Sequence, residues 1–189
     1  MAGFKDVFQR IEVKYLLDDI QYNELMKRLE GMAAIDSYGE TSILNIYFDT
    51  PDFKLIERSL EKPKYKEKLR LRTYGKASDD TNAFIEIKKK YKGVVYKRRI
   101  SMKLQEAYDY IETGKLPEHL VGNIPVEIDY MINRYRLFPK AYISYKRVAW
   151  AGNNNPDLRI TFDRDITSRY DDVKLESQAD GHKILPEKT

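Results

Sequence analysis

The chain has 189 residues, 42% hydrophobic and 34% charged, which is enough to bury a core and too rich in aromatics for a disordered segment. The lack of cysteine excludes disulfides and thiolate metal sites, and two histidines, His119 and His182, argue against a histidine zinc site. The formal charge of +4 hides an uneven distribution: Lys62 to Lys103 holds fifteen Lys and Arg against four Asp and Glu, so an acidic partner is expected for that stretch.

Phe8 to Leu17 alternates and predicts a strand. Asp18 and Asp19 then read as the cap region of a helix to about Met32, with Ile20, Leu25, Met26 and Leu29 on its apolar stripe. Ser42 to Asp49 predicts a second strand, closed by Asp49-Thr50-Pro51 and a short helix to about Leu60. Three basic strands follow, over Glu67–Tyr74, Ala83–Lys90 and Gly93–Ser101, with Tyr91-Lys92-Gly93 as a hairpin connection. Lys103–Thr113 and Leu116–Leu137 read as helical, the latter broken near Gly122 to Pro125. Two more strands, Ala141–Trp150 and Asp157–Ile166, flank a Gly-Asn-Pro turn, and a polar tail from Ser168 is assigned little structure. Seven strands with helices outside predict an α+β antiparallel barrel or strongly curved sheet in one domain, with its core over 7–166.

Period-two parity sorts the side chains by face. Lys14 and Glu12 oppose Ile11, Val13 and Tyr15; Arg70 and Arg72 oppose Leu69 and Leu71; Glu86 and Lys88 oppose Ile85 and Ile87. Lys97 and Arg99 oppose Val94, Tyr96 and Ile100, while Arg98 falls on the apolar side. Arg147 shares a face with Tyr145, and Arg159 opposes Leu158 and Ile160. Six of the seven predicted strands therefore carry Arg or Lys away from the core. Like unit charges about 4 Å apart repel by roughly 4 kcal/mol near a protein surface, so water or an anion must lie between them. Guanidinium groups grip phosphate oxygens in a bidentate way, and a polyanion site is the reading that fits.

Seven segments, in order, resemble the VTC (vacuolar transporter chaperone) domain. They are Arg10-Ile11-Glu12-Val13-Lys14-Tyr15, Ile46 to Pro51, Leu69-Arg70-Leu71-Arg72, Phe84 to Lys88, Tyr96 to Arg99, Ser144 to Ala149 and Leu158 to Asp163. That family is polyphosphate polymerase-like and belongs to the CYTH-like triphosphate tunnel metalloenzymes, whose fold is an eight-stranded antiparallel barrel with a charged lumen. The resemblance implies a phosphotransferase that polymerises inorganic polyphosphate from the γ-phosphate of ATP with a divalent cation, Mn or Mg. It also implies that Lys14, Arg70, Arg72, Lys88, Lys97, Arg99, Arg147 and Arg159 bind phosphate, and that Glu12 and Glu86 are lumen carboxylates that could hold the metal. The CYTH pattern places glutamate where this chain has Arg10. The family's last strand, with a metal-binding glutamate and a lysine, is expected after Ile184-Leu185-Pro186, so the eighth strand is expected to be missing from a truncated tail over 167–189.

The expected partners are ATP, triphosphate or polyphosphate, and the resemblance adds a separate membrane partner. A CYTH-type triphosphatase and a non-catalytic polyphosphate or nucleotide binder stand as alternatives. RNA binding through the Lys62–Lys103 stretch finds no RNP-like or KH-like motif, and no DNA partner is expected. No apolar run reaches the roughly 20 residues needed to span a bilayer, and the N-terminus lacks the core of a signal peptide, so a cytoplasmic location is expected.

Overall fold

The computed structural model describes residues 7–155, 157–176, 181–185 and 189, with the backbone alone for 7–10. Its strands are β1 (Val7–Arg10), β2 (Ala33–Asp49), β3 (Tyr65–Tyr74), β4 (Asn82–Tyr91), β5 (Val94–Lys103), β6 (Phe138–Gly152), β7 (Arg159–Arg169) and β8 (His182–Lys183). Its helices are α1 (Asp19–Leu29), α2 (Lys54–Leu60), α3 (Leu104–Thr113) and α4 (Asn123–Tyr135). All strand pairs are antiparallel, in the order β1-β5-β4-β3-β2-β6-β7-β8.

Apolar alternation builds the main core on one face of this sheet. Ile46 and Phe48 of β2, Leu69 and Leu71 of β3, Ile85 and Ile87 of β4, and Ile100 and Met102 of β5 pack against Leu104, Ala107 and Tyr110 of α3 and Ile128 and Met131 of α4. A second, smaller core joins Leu29 and Ala33 to Phe162, with Tyr22, Leu25, Met26, Trp150 and Ile160 around it. Here α1 lies along the outer ends of β2, β6 and β7, and Ile20, expected on its apolar stripe, is exposed. The start of α1 is fixed by a reciprocal cap: Gln21 N donates to Asp18 Oδ1 at 2.8 Å, and Asp18 N donates to Gln21 Oε1 at 3.1 Å.

Four expectations need correction. The first strand ends at Arg10 rather than Leu17, because its partner β5 begins at Val94 and the register pairs Arg10 with Val95. Beyond that hairpin tip Ile11, Val13 and Tyr15 are 84%, 66% and 76% exposed instead of core-facing. The second strand starts at Ala33, since 33–41 pairs with the far half of β6 across an irregularity between Ile35 and Glu40. Of the expected 116–137 helix, broken near Gly122 to Pro125, only Asn123–Tyr135 is helical, starting at that break with Gly122 as its N-cap.

The polar tail is also more ordered than its composition suggests. β7 runs to Arg169, whose buried guanidinium stacks 3.7 Å over the Tyr142 ring and donates to the carbonyls of Asp172 and Lys174. Those bonds present Leu175 to the core, where its N–H donates to the Tyr108 hydroxyl. A two-residue β8 pairs with β7 within the tail, where little structure was expected. Among the described residues the sheet does not close into the expected barrel, and β1 and β8 are its two edges. Leu17 and Thr189 exchange a reciprocal pair of backbone hydrogen bonds at 3.0 Å, and Glu187 and Lys188 lie outside the described residues.

Candidate functional site

The face of the sheet away from α3 and α4 carries rows of side chains set by register. Cross-strand partners place Arg72, Phe84 and Ser101 in one row, Arg70, Glu86 and Arg99 in the next, and Lys68, Lys88 and Lys97 in the third. Burial does not follow polarity here. Glu86 is 0% exposed, and Arg72, Arg99 and Asn45 are buried as well.

Glu86 is the electrostatic centre. Arg70 Nε donates to its Oε2 at 2.7 Å, and Arg72 Nε lies 3.9 Å from the same oxygen. Lys97 Nζ pairs with Oε1, and Arg99 Nη1 lies 3.9 Å from it. Burial alone would raise the carboxyl pKa; Arg70, Arg72 and Lys97 together outweigh it and hold the group down at about 2. The same burial, with Arg70 and Arg72 close by, brings the Lys97 ammonium down to about 8 against the opposing pull of Glu86.

Neighbouring strands orient the two central guanidiniums. Tyr47 of β2 accepts from Arg70 Nη1 at 3.2 Å, and Asn45 accepts from Arg72 Nε at 2.8 Å while donating to the Ile143 carbonyl at 2.9 Å. Arg72 Nη2 donates to the Tyr145 hydroxyl of β6 at 2.8 Å, reaching across β2. Despite its burial, the Tyr47 hydroxyl has a lowered pKa because Arg70, Arg72 and Lys68 surround it. Arg99 lies 4.8 Å over the Phe84 ring.

The remaining predicted residues fall into three places. Lys88 Nζ bonds Glu12 at 2.6 Å, and Lys14 lies 3.6 Å from the other oxygen of that carboxylate. Burial lowers the Lys88 pKa, with Lys14 and Arg70 adding to the effect. Arg147 makes a two-pronged bond to Asp163 of β7 at 2.6 and 2.7 Å, and it stacks 5.1 Å from the Tyr145 ring. Arg159 stands apart: it is 53% exposed and bound to Asp36 at 2.8 Å, toward the outer end of β2.

Sequence reasoning missed Asn45 and Tyr47 as arginine holders, Asp163 as the Arg147 partner, and Lys68 as a full member of the lysine row. Burial lowers the Lys68 pKa, reinforced by Lys66 and Lys14. Parity counted back from Asp49 does put Asn45 and Tyr47 on one face, which was the available signal.

The carboxylates do not fit a divalent cation. Mg and Ca ions take about six or more oxygen ligands, whereas each Glu86 oxygen already faces cations and Glu12 is held between two lysines. Among the described residues no group of three or more His, Asp or Glu side chains could hold a metal.

On the helix side of the sheet, a hollow of about 390 Å³ is lined by Tyr65, Tyr91, Tyr96, Lys89, Arg98 and Glu127. Lys89 pairs there with Glu127 of α4, as does Arg98. That triad is locally compensated.

A family model described as the VTC domain matches residues 9–188. A crystal structure assigned as an adenylate cyclase of Bacillus halodurans is similar in fold, with a TM-score of 0.50 and 17% identity over 87% of this chain and 73% of the other. Among curated proteins, none matches. Among the described residues no helix is long and apolar enough to cross a membrane.

Proposed function

The chain belongs to the VTC domain family, and from that premise we propose that it holds triphosphate or polyphosphate along the cationic face and extends a polyphosphate chain from the γ-phosphate of ATP. One observation carries the reading: Lys68, Lys88 and Lys97 stand directly opposite one another on three adjacent strands. Like charges in that position repel; Glu12 and Glu86 offset this at Lys88 and Lys97, and an anion lying across the row would relieve it further.

The adjoining row supplies shape as well as charge. Arg70 and Arg72 are locked by Glu86, Tyr47, Asn45 and Tyr145 before any ligand arrives, so little side-chain freedom is lost on binding. Phosphoryl transfer asks the protein for positioning and neutralisation of oxygen charge more than for a covalent nucleophile. In this reading the lysine row and Arg99 hold the phosphate chain, and Arg70 and Arg72 neutralise charge on the transferring group. The attacking oxygen is that of a phosphate chain end.

The test is incubation of the chain with ATP followed by gel analysis of products. Long-chain polyphosphate supports the proposal. Free phosphate alone assigns a triphosphatase, and tight tripolyphosphate binding with neither product assigns a binding module.

A further inference from the structure

We infer that this face binds the phosphate chain without a protein-held divalent cation, and that Glu86 is the built-in counter-ion of the arginine–lysine cluster rather than a metal ligand. The inference rests on the reading of this face as a polyphosphate site and concerns how that site is charged.

A carboxylate that serves a hard cation must present lone pairs to an open space at a metal–oxygen distance of roughly 2.0–2.6 Å. Glu86 has no such space. Its Oε2 has Arg70 Nε at 2.7 Å and Arg72 Nε at 3.9 Å, and its Oε1 faces Lys97 and the Arg99 guanidinium at 3.9 Å. A divalent ion on either oxygen would sit against two cationic groups in a site that excludes water, where repulsion is strongest. Glu12, the second carboxylate expected to hold a metal, repeats the pattern between Lys88 and Lys14, and Asp163 is taken up by the two-pronged bond from Arg147.

The cluster instead has the balance of an anion site. Four cations, Arg70, Arg72, Lys97 and Arg99, surround the Glu86 carboxylate, and Lys68 and Lys88 stand in the adjoining row. Glu86 keeps the cluster assembled in the empty protein, because a buried cation without a counter-charge is costly. It does so at the expense of affinity, since its own charge repels the incoming phosphates.

The experiment is calorimetric titration of the 189-residue chain with sodium tripolyphosphate, at fixed ionic strength, in EDTA and in excess Mg²⁺. The expected result is binding in EDTA, with Mg²⁺ tightening it by less than about threefold, a change under about 0.7 kcal/mol. A tightening of about threefold or more in Mg²⁺ overturns the inference. Glu86→Gln gives a second reading: a counter-ion role predicts binding in EDTA at least as tight as in the unaltered chain, whereas weaker binding by a folded variant overturns that role. If Glu86→Gln does not fold, the comparison of EDTA with Mg²⁺ on the unaltered chain decides alone. Absence of tripolyphosphate binding in both media overturns the polyphosphate reading itself and the inference with it, whereas binding in Mg²⁺ alone overturns only the inference.

Discussion

Arg70 and Arg72 lie two residues apart on one strand, yet their removal has different consequences. Arg70 is the nearest partner of a fully buried carboxylate, so Arg70→Ala is expected to cost about 3–5 kcal/mol of stability as well as anion affinity. Arg72→Ala leaves Glu86 with Arg70 and Lys97, and it is expected to weaken triphosphate binding by about 1.5–3 kcal/mol. Thermal denaturation alongside calorimetric titration separates the two effects, and unchanged binding in both variants counts against the assignment. Lys97 gives the site a pH signature. Its pKa is lowered to about 8 in the folded chain, so anion affinity is expected to fall as pH rises through 8, and Lys97→Met is expected to remove that slope. Stability moves the other way: the unfolded lysine keeps its proton to about pH 10.5, so the unfolded state binds more protons between 8 and 10.5 and folding strengthens across that window. Parity made the site cations legible in the sequence. It could not show that Asn45 and Tyr47 would bond guanidiniums, because one face is as far as a period of two resolves. Nor could it rank Lys68, which stands in an evenly spaced basic run that reads equally well as solvated surface.

At the scale of elements, the pattern Asp49-Thr50-Pro51 was read as the end of a strand and the start of a helix, and the bonds explain why. Asp49 Oδ1 accepts from Leu55 N at 2.8 Å and Oδ2 from Ile56 N at 2.9 Å, while Thr50 Oγ1 accepts from Lys54 N at 2.9 Å. Together they satisfy amides at the start of α2 that have no partner within the helix. Asp49→Ala is expected to cost about 1–2 kcal/mol and lower the melting temperature by roughly 2–8 °C in thermal denaturation. Other boundaries were illegible for identifiable reasons. Ile11, Val13 and Tyr15 alternate as a core strand would, but no sequence signal reveals the register that sets Arg10 opposite Val95 and leaves them beyond the start of β5. Conversely, 33–41 lacks sustained apolar alternation and is held in its strand by pairing to β6. Local periodicity reports what a segment can do, and the partner decides what it does.

For the whole molecule, the antiparallel α+β class followed from strand count and hairpin spacing, whereas closure into a barrel did not survive. Closure depends on a ladder between the first and last strands, and among the described residues only the Leu17–Thr189 bonds lie between the segment after β1 and the segment after β8. The uneven charge distribution, by contrast, became a physical feature: the basic stretch supplies β3, β4 and β5, which carry all three rows of the site. Binding at such a face is expected to weaken steeply with salt. Raising the salt from about 0.01 M to 0.15 M shortens the screening length from about 30 Å to about 8 Å, and tripolyphosphate affinity should drop by tenfold or more in titrations at the two concentrations.

The two-residue turn between β4 and β5 ties these scales together. Lys92 and Gly93 both have positive φ, at 45° and 88°, and join Tyr91 to its ladder partner Val94. That tight connection sets which of three consecutive cations in β5 face inward. A single residue inserted there, with the ladder sliding to absorb it, would turn Arg98 toward Glu86 and expel Lys97 and Arg99 to the helix side. The chain could keep its strands and its composition and still lose the site, so the phosphate-gripping arrangement depends on counting as much as on charge.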